Sequence, residues 1–145
     1  MASGLRRRIG GPIAGNVKKI DVSQLLAIAA GGATGALFRF WVSNAVYAVL
    51  GRDFPYGTLA VNVLGSLAMG FLYVMLLERS ALEPVWRAFL MVGLLGAFTT
   101  FSTFSIETLN LIEAGQVMRA ALNMVLSVAA SVLAAYVGVL LGRAL

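Results

Sequence analysis

Four apolar segments, at about 24–49, 57–77, 85–112 and 117–142, take up nearly all of the chain beyond its first two dozen residues. Each reaches the roughly 20 residues that a helix needs to cross a bilayer core of about 30 Å. The segments lack the strict apolar–polar alternation of barrel strands, and four strands are too few to close a barrel. In hydrocarbon every backbone N–H and C=O must be satisfied within the protein, which leaves helices. With 60% apolar and 12% charged residues, the composition agrees with that solvent and not with water. The chain therefore reads as an all-α membrane protein of four transmembrane helices.

At 145 residues there is no room for a second domain, and four helices enclose little more than a side-chain-filled core. Any path for a solute is expected to form between subunits. The absence of cysteine and histidine rules out disulfides, thiol chemistry, zinc sites with the usual Cys/His ligands and Ser-His-Asp catalysis. The chain is not expected to be an enzyme.

Residues 1–23 are of another kind. Arg6, Arg7, Arg8, Lys18 and Lys19 stand among Gly and Pro with only Asp21 opposing them, and they supply most of the net charge of +5. This basic N-terminal tail reads as flexible, as a topology determinant and as a contact for anionic headgroups. Nucleic-acid binding is not expected in this setting. A cleaved signal peptide fits poorly, because the apolar run begins late and contains Gly31, Gly32, Gly35 and Arg39. Residues 24–145 form the transmembrane domain.

The third segment carries the chemistry. Its stretch GLLGAFTTFSTFS, at 93–105, sets Thr99, Thr100, Ser102, Thr103 and Ser105 beside Phe98, Phe101 and Phe104, just after Gly93 and Gly96. An unsatisfied polar group in hydrocarbon costs roughly 2–7 kcal/mol, so five hydroxyls need partners that a water-lined cavity or a bound ion would supply. A helix break near 96–100 is expected, since unwound backbone at membrane depth is tolerated where it lines a cavity, and its freed carbonyls often hold a cation. A phenylalanine ring has a positive edge that complements an anion and a negative face that suits a cation.

Residues four apart share a helix face. Thr58, Asn62, Ser66 and Gly70 therefore form one stripe on the second helix, and Asn123, Ser127 and Ser131 another on the fourth. Small and hydroxylated residues also serve plain helix packing in membranes, and either stripe alone reads that way. Two stripes together with the 99–105 cluster favour a polar track. Gly31-x-x-x-Gly35 on the first helix indicates close packing. Arg39, past the midpoint of that helix, must face protein, water or the interface, and Glu107 beyond the hydroxyl cluster poses the same question.

Taken together, GGATGALFRF at 31–40, YGTLAVNVLGS at 56–66 and GLLGAFTTFSTFSIET at 93–108 resemble the signature regions of the Fluc (CrcB) fluoride channels. The resemblance spans all four helices in order and leaves out only the tail. It implies a dual-topology antiparallel homodimer in the cell inner (plasma) membrane, passing F⁻ passively out of the cytoplasm and giving fluoride resistance. It also implies a structural Na⁺ held by the backbone carbonyls of Gly96 and Thr99 from both subunits. Carried over, the fluoride pathway comprises Asn62, Phe101, Ser102, Thr103, Phe104, Glu107, Asn123, Ser127 and Ser131, with Arg39 and Thr58 structural or electrostatic. Asn123 stands where the family often has a tyrosine, which alters one pore wall.

Two other classes remain open from the residues alone. A small dual-topology proton-coupled exporter would use Glu107 as its proton carrier, and a non-conducting scaffold would use the polar stripes for packing only. Topology carries its own tension. The side shared by the N-terminus and C-terminus holds the five tail residues plus Arg79, Arg87 and Arg143, against Arg52 and Arg119 opposite, which argues for one orientation with the N-terminus in the cytoplasm. Without the tail, three stand against two, the near-balance that an antiparallel homodimer needs.

Overall fold

The structure is a computed structural model, and it describes residues 21–79 and 82–145. The basic residues of the tail, Arg6 to Lys19, lie outside the described residues. Four helical spans, Val22–Leu50, Tyr56–Glu78, Pro84–Glu113 and Val117–Ala144, are long and apolar enough to cross a membrane. Their limits match the apolar segments to within about two residues, because in a membrane the apolar run and the helix share one cause. No strand occurs among the described residues.

Helix α1 (Val22–Leu50) opens at Asp21, whose carboxylate accepts from Ser23 N at 3.0 Å and satisfies one of the free N–H groups of the first turn. It ends at Gly51, which takes φ 79° and so turns the chain back through a conformation that disfavours a side chain. Helix α2 (Tyr56–Tyr73) runs on into a π-helical stretch, Val74–Glu78. The third span is composite: α3 (Pro84–Arg87), a π-helical stretch Ala88–Leu95, α4 (Gly96–Phe98) and α5 (Phe101–Glu113). Helix α6 (Val117–Ala144) completes the bundle.

Packing follows the small residues. α1 lies mainly on the π-helical part of the third span, and α2 mainly on α6. A Cβ on Gly35 would stand 2.1 Å from Leu94 O, so this crossing exists only because the position has no side chain. Gly70 and Gly138 do the same for α2 and α6, where added Cβ atoms would meet Ala135 O and Leu67 O, each at 2.1 Å. Between these two seams the core is thin: among the described residues Val61, Val74, Leu76, Ala88, Leu95, Phe104 and Ala120 are its buried apolar residues. Most large apolar side chains point outward, as expected where the surroundings are lipid or a further protein surface. At the end shared by the second and fourth spans, Arg143 pairs with Glu78 at 2.8 Å, and Arg79 donates to Arg143 O at 2.6 Å.

Candidate functional site: a polar cavity at a non-helical turn of the third span

Between α4 and α5 two residues leave helical geometry. Thr99 takes φ −82°, ψ 158° and Thr100 takes φ −152°, ψ 118°, both extended. In an uninterrupted helix Thr100 N would donate to Gly96 O. Here it donates to Asn62 Oδ1 at 2.8 Å, while Asn62 Nδ2 donates to Thr100 O at 3.0 Å. The side-chain amide thus replaces the missing backbone partners of one residue, Thr100, in both directions. α5 then restarts under its own cap: Thr100 Oγ1 accepts from Thr103 N at 3.2 Å.

The five hydroxyls of this region find their partners within the chain. Thr99 Oγ1 donates to Leu95 O at 3.1 Å, and Ser105 Oγ to Phe101 O at 2.9 Å. Thr100 Oγ1 donates to Thr103 Oγ1 at 3.0 Å and lies 3.3 Å from Ser102 Oγ. The requirement that a cavity or ion satisfy them, expected from the sequence, is therefore relaxed. Hydroxyls back-bonded to the helix, or gathered at its cap, meet most of their need locally and keep lone pairs or protons for a further contact.

A cavity of about 290 Å³ opens at this turn, lined by Asn62 and Ser66 from α2, Thr99 and Thr100 from the turn, Phe101 and Phe104 from α5, and Ser127 and Ser131 from α6. Asn62 and Ser66, and Ser127 and Ser131, reach it because the polar stripes of α2 and α6 face the same side of the bundle. Gly65 brings α2 close to the turn: a Cβ there would lie 2.3 Å from Thr99 Cγ2. The rings of Phe101 and Phe104 stand 5.3 Å apart at 44°. Phe104 is 9% exposed, whereas Phe101 is 77% exposed.

Other residues singled out from the sequence lie around this cavity. Ser102 and Thr103 sit behind the cap of α5. Asn123 is buried between α5 and α6 at 1% exposure; its Nδ2 donates to Thr108 Oγ1 at 2.8 Å and its Oδ1 accepts from Ser127 Oγ at 3.3 Å. It is thus one residue behind the cavity wall, where it orients Ser127. Arg39 follows Gly35 on the face that meets the third span, and its Nη1 lies 3.5 Å from Thr99 O. Thr58 is buried, with its Oγ1 3.5 Å from Tyr47 Oη. Glu107 lies one turn of α5 beyond Phe104 and accepts from Tyr47 Oη at 2.9 Å.

Two contributors stand outside the residues that the sequence singles out for the site. Thr100 was one hydroxyl among five, yet it supplies the cap and both backbone partners of Asn62. Its signal was available, since a Thr at the start of a helical run, three residues before Thr103, fits an N-cap. Tyr47 had no such signal, because its partners lie 11 and 60 residues away.

The family described as "CrcB-like protein, Camphor Resistance (CrcB)" matches residues 26–139. The chain is similar to the fluoride-specific ion channel FluC of Methylococcus capsulatus, with 60% identity over 122 residues, which are 84% of this chain but only 54% of that protein. It thus spans about half the length of that relative. It is also similar to the fluoride-specific ion channels FluC of Magnetococcus marinus, 53% identical over 83% of this chain and 98% of the relative, and of Coxiella burnetii strain Dugway 5J108-111, 52% identical over 84% and 99%.

Proposed function

This chain belongs to the Fluc (CrcB) family, and we propose that it is a fluoride-selective passive channel that lets F⁻ leave the cytoplasm across the plasma membrane and so confers fluoride resistance. The observation that carries the reading is the convergence of Asn62, Ser127, Ser131 and the Phe101/Phe104 pair on one cavity beside a non-helical turn. Fluoride is small and tightly hydrated, so a narrow path must replace its water with donors. Neutral donors do this without the fixed cation that would trap the ion.

Asn62 has one amide N–H left after bonding Thr100 O, and the hydroxyls of Ser127 and Ser131 continue the donors along α6. Phenylalanine ring edges add weak positive potential without strong binding. Several weak sites in series favour exit as well as entry. Phe101, exposed at the subunit surface, fits a pathway completed by a second copy, and we assign it to the interface of an antiparallel homodimer.

The same turn suits a structural Na⁺. In this reading the cation is held by backbone oxygens, which suit a hard monovalent ion. Thr100 N is engaged by Asn62 and so does not occupy Gly96 O in helical fashion, and among the described residues Thr99 O meets the Arg39 guanidinium at 3.5 Å. Carbonyls of Gly96 and Thr99 from two subunits would hold the ion, which when bound supplies a fixed positive field beside the anion path. The break in the third helix is, in this reading, what frees those oxygens.

Liposomes containing the purified protein test the function directly. Fluoride efflux read with an ion-selective electrode is expected without any pH gradient, and chloride efflux is expected to be absent. Flux that requires a pH gradient would favour a proton-coupled exporter, and no flux at all would favour a scaffold.

A further inference from the structure

Tyr47, near the end of α1, belongs to none of the motifs above, yet it is held on three sides. Its ring packs on Gly57, where a Cβ would come within 2.5 Å of Cε2. The guanidinium carbon of Arg52 lies 4.8 Å from the ring centroid, a cation–π contact, while Arg52 Nη2 donates to Asn44 Oδ1 at 3.2 Å. Its hydroxyl donates to Glu107 Oε1 at 2.9 Å. The other carboxylate oxygen, Glu107 Oε2, is sealed from solvent and has no hydrogen-bond partner among the described residues. Around this arrangement lies a second cavity of about 250 Å³, lined by Tyr47, Arg52, Asp53, Glu107 and Asn110 among others. Phe104, which lines the polar cavity, and Glu107, which lines this one, are one turn apart on α5, about 5 Å along the axis.

We infer that Tyr47 is a positioning residue that ties the Glu107 carboxylate to α1 and keeps its charge from turning into this mouth of the ion path. The inference rests on the channel reading. A carboxylate with one bonded oxygen and one unmet oxygen is tethered by a single charge-assisted hydrogen bond. Cut that bond, and the side chain gains by turning both oxygens to the water of the adjoining cavity. A mobile negative charge then stands in the mouth and repels the arriving anion.

Tyr47→Phe removes the hydroxyl, with its bond to Glu107 and its 3.5 Å contact with Thr58 Oγ1, and keeps the ring, its seat on Gly57 and its contact with Arg52. Fluoride efflux from liposomes is expected to fall about tenfold, the scale set by one hydrogen bond to a charged group. In the Glu107→Gln background, which has no charge to release, Tyr47→Phe is expected to change nothing. Unaltered efflux in Tyr47→Phe, or the same fractional loss in both backgrounds, overturns the inference, because either means that the hydroxyl does not act through the carboxylate. A second reading works even where Glu107→Gln is silent. The carboxylate stretching band of Glu107, isolated as the infrared difference between wild type and Glu107→Gln, is expected to shift in Tyr47→Phe. An unshifted band also overturns the inference. Wild-type liposomes that carry no fluoride defeat the channel reading itself, and the infrared band then still decides whether the tether exists.

Discussion

Replacing Asn62 with aspartate changes one NH2 to one oxygen and tests the turn and the anion path together. In the structure the replaced group is 3.0 Å from Thr100 O, so an aspartate oxygen would set acceptor against acceptor. The lost hydrogen bond and the unmet carbonyl cost about 1–3 kcal/mol, while the bond from Thr100 N at 2.8 Å survives and is strengthened by charge. The fold should therefore persist with a lowered melting temperature. The effect on the ion is larger. For a fluoride about 4 Å from the new charge, at an effective dielectric near 20, the repulsion is about 4 kcal/mol. Since each ~1.4 kcal/mol is a factor of ten, occupancy of the site drops on the order of 10³-fold. The assay is fluoride efflux from liposomes, with thermal unfolding in detergent to check that the variant is folded. A folded Asn62→Asp protein whose efflux stays within a few-fold of wild type refutes the placement of the path beside Asn62.

Gly138→Ala should lower stability by about 1–3 kcal/mol, because the new Cβ lies 2.1 Å from Leu67 O and forces α2 and α6 apart, whereas Gly32→Ala, with nothing within 4 Å, should be neutral or stabilising; melting curves of the two variants in one detergent compare them. Removal of Na⁺ under conditions that empty its site is expected to abolish efflux or dissociate the dimer, measured by flux and by size-exclusion chromatography; insensitivity of both would end the claim for carbonyls of Gly96 and Thr99. Cysteines introduced by Ser3→Cys and Ala144→Cys are expected to be labelled from outside in about half of the molecules in intact cells, as a dual-topology core requires. Protection of both ends in every molecule would point to an oppositely oriented partner chain, as the positive-inside count with the tail suggests.

Sequence by itself determined the number, order and limits of the spans, because the same apolar runs that a bilayer demands also form helices that satisfy their own backbone. It also determined which faces carry polar atoms: Thr58, Asn62 and Ser66 on α2, and Asn123, Ser127 and Ser131 on α6, follow from a 3.6-residue period alone. Periodicity says which side chains share a face and nothing about what that face meets. Only the tertiary structure decided that Asn62 spends both ends of its amide on Thr100, 38 residues away, and that Asn123 is sealed behind Ser127 while Ser131 lines the cavity. It likewise paired Tyr47 with Glu107 and set Arg39 against Thr99 O, both across 60 residues. Local sequence encodes a helix because its hydrogen bonds reach only four residues along the chain. A polar side chain inside a membrane bundle finds its partner wherever close packing at Gly35, Gly65, Gly70 and Gly138 brings another backbone within 3 Å, and that distance belongs to the assembled helices.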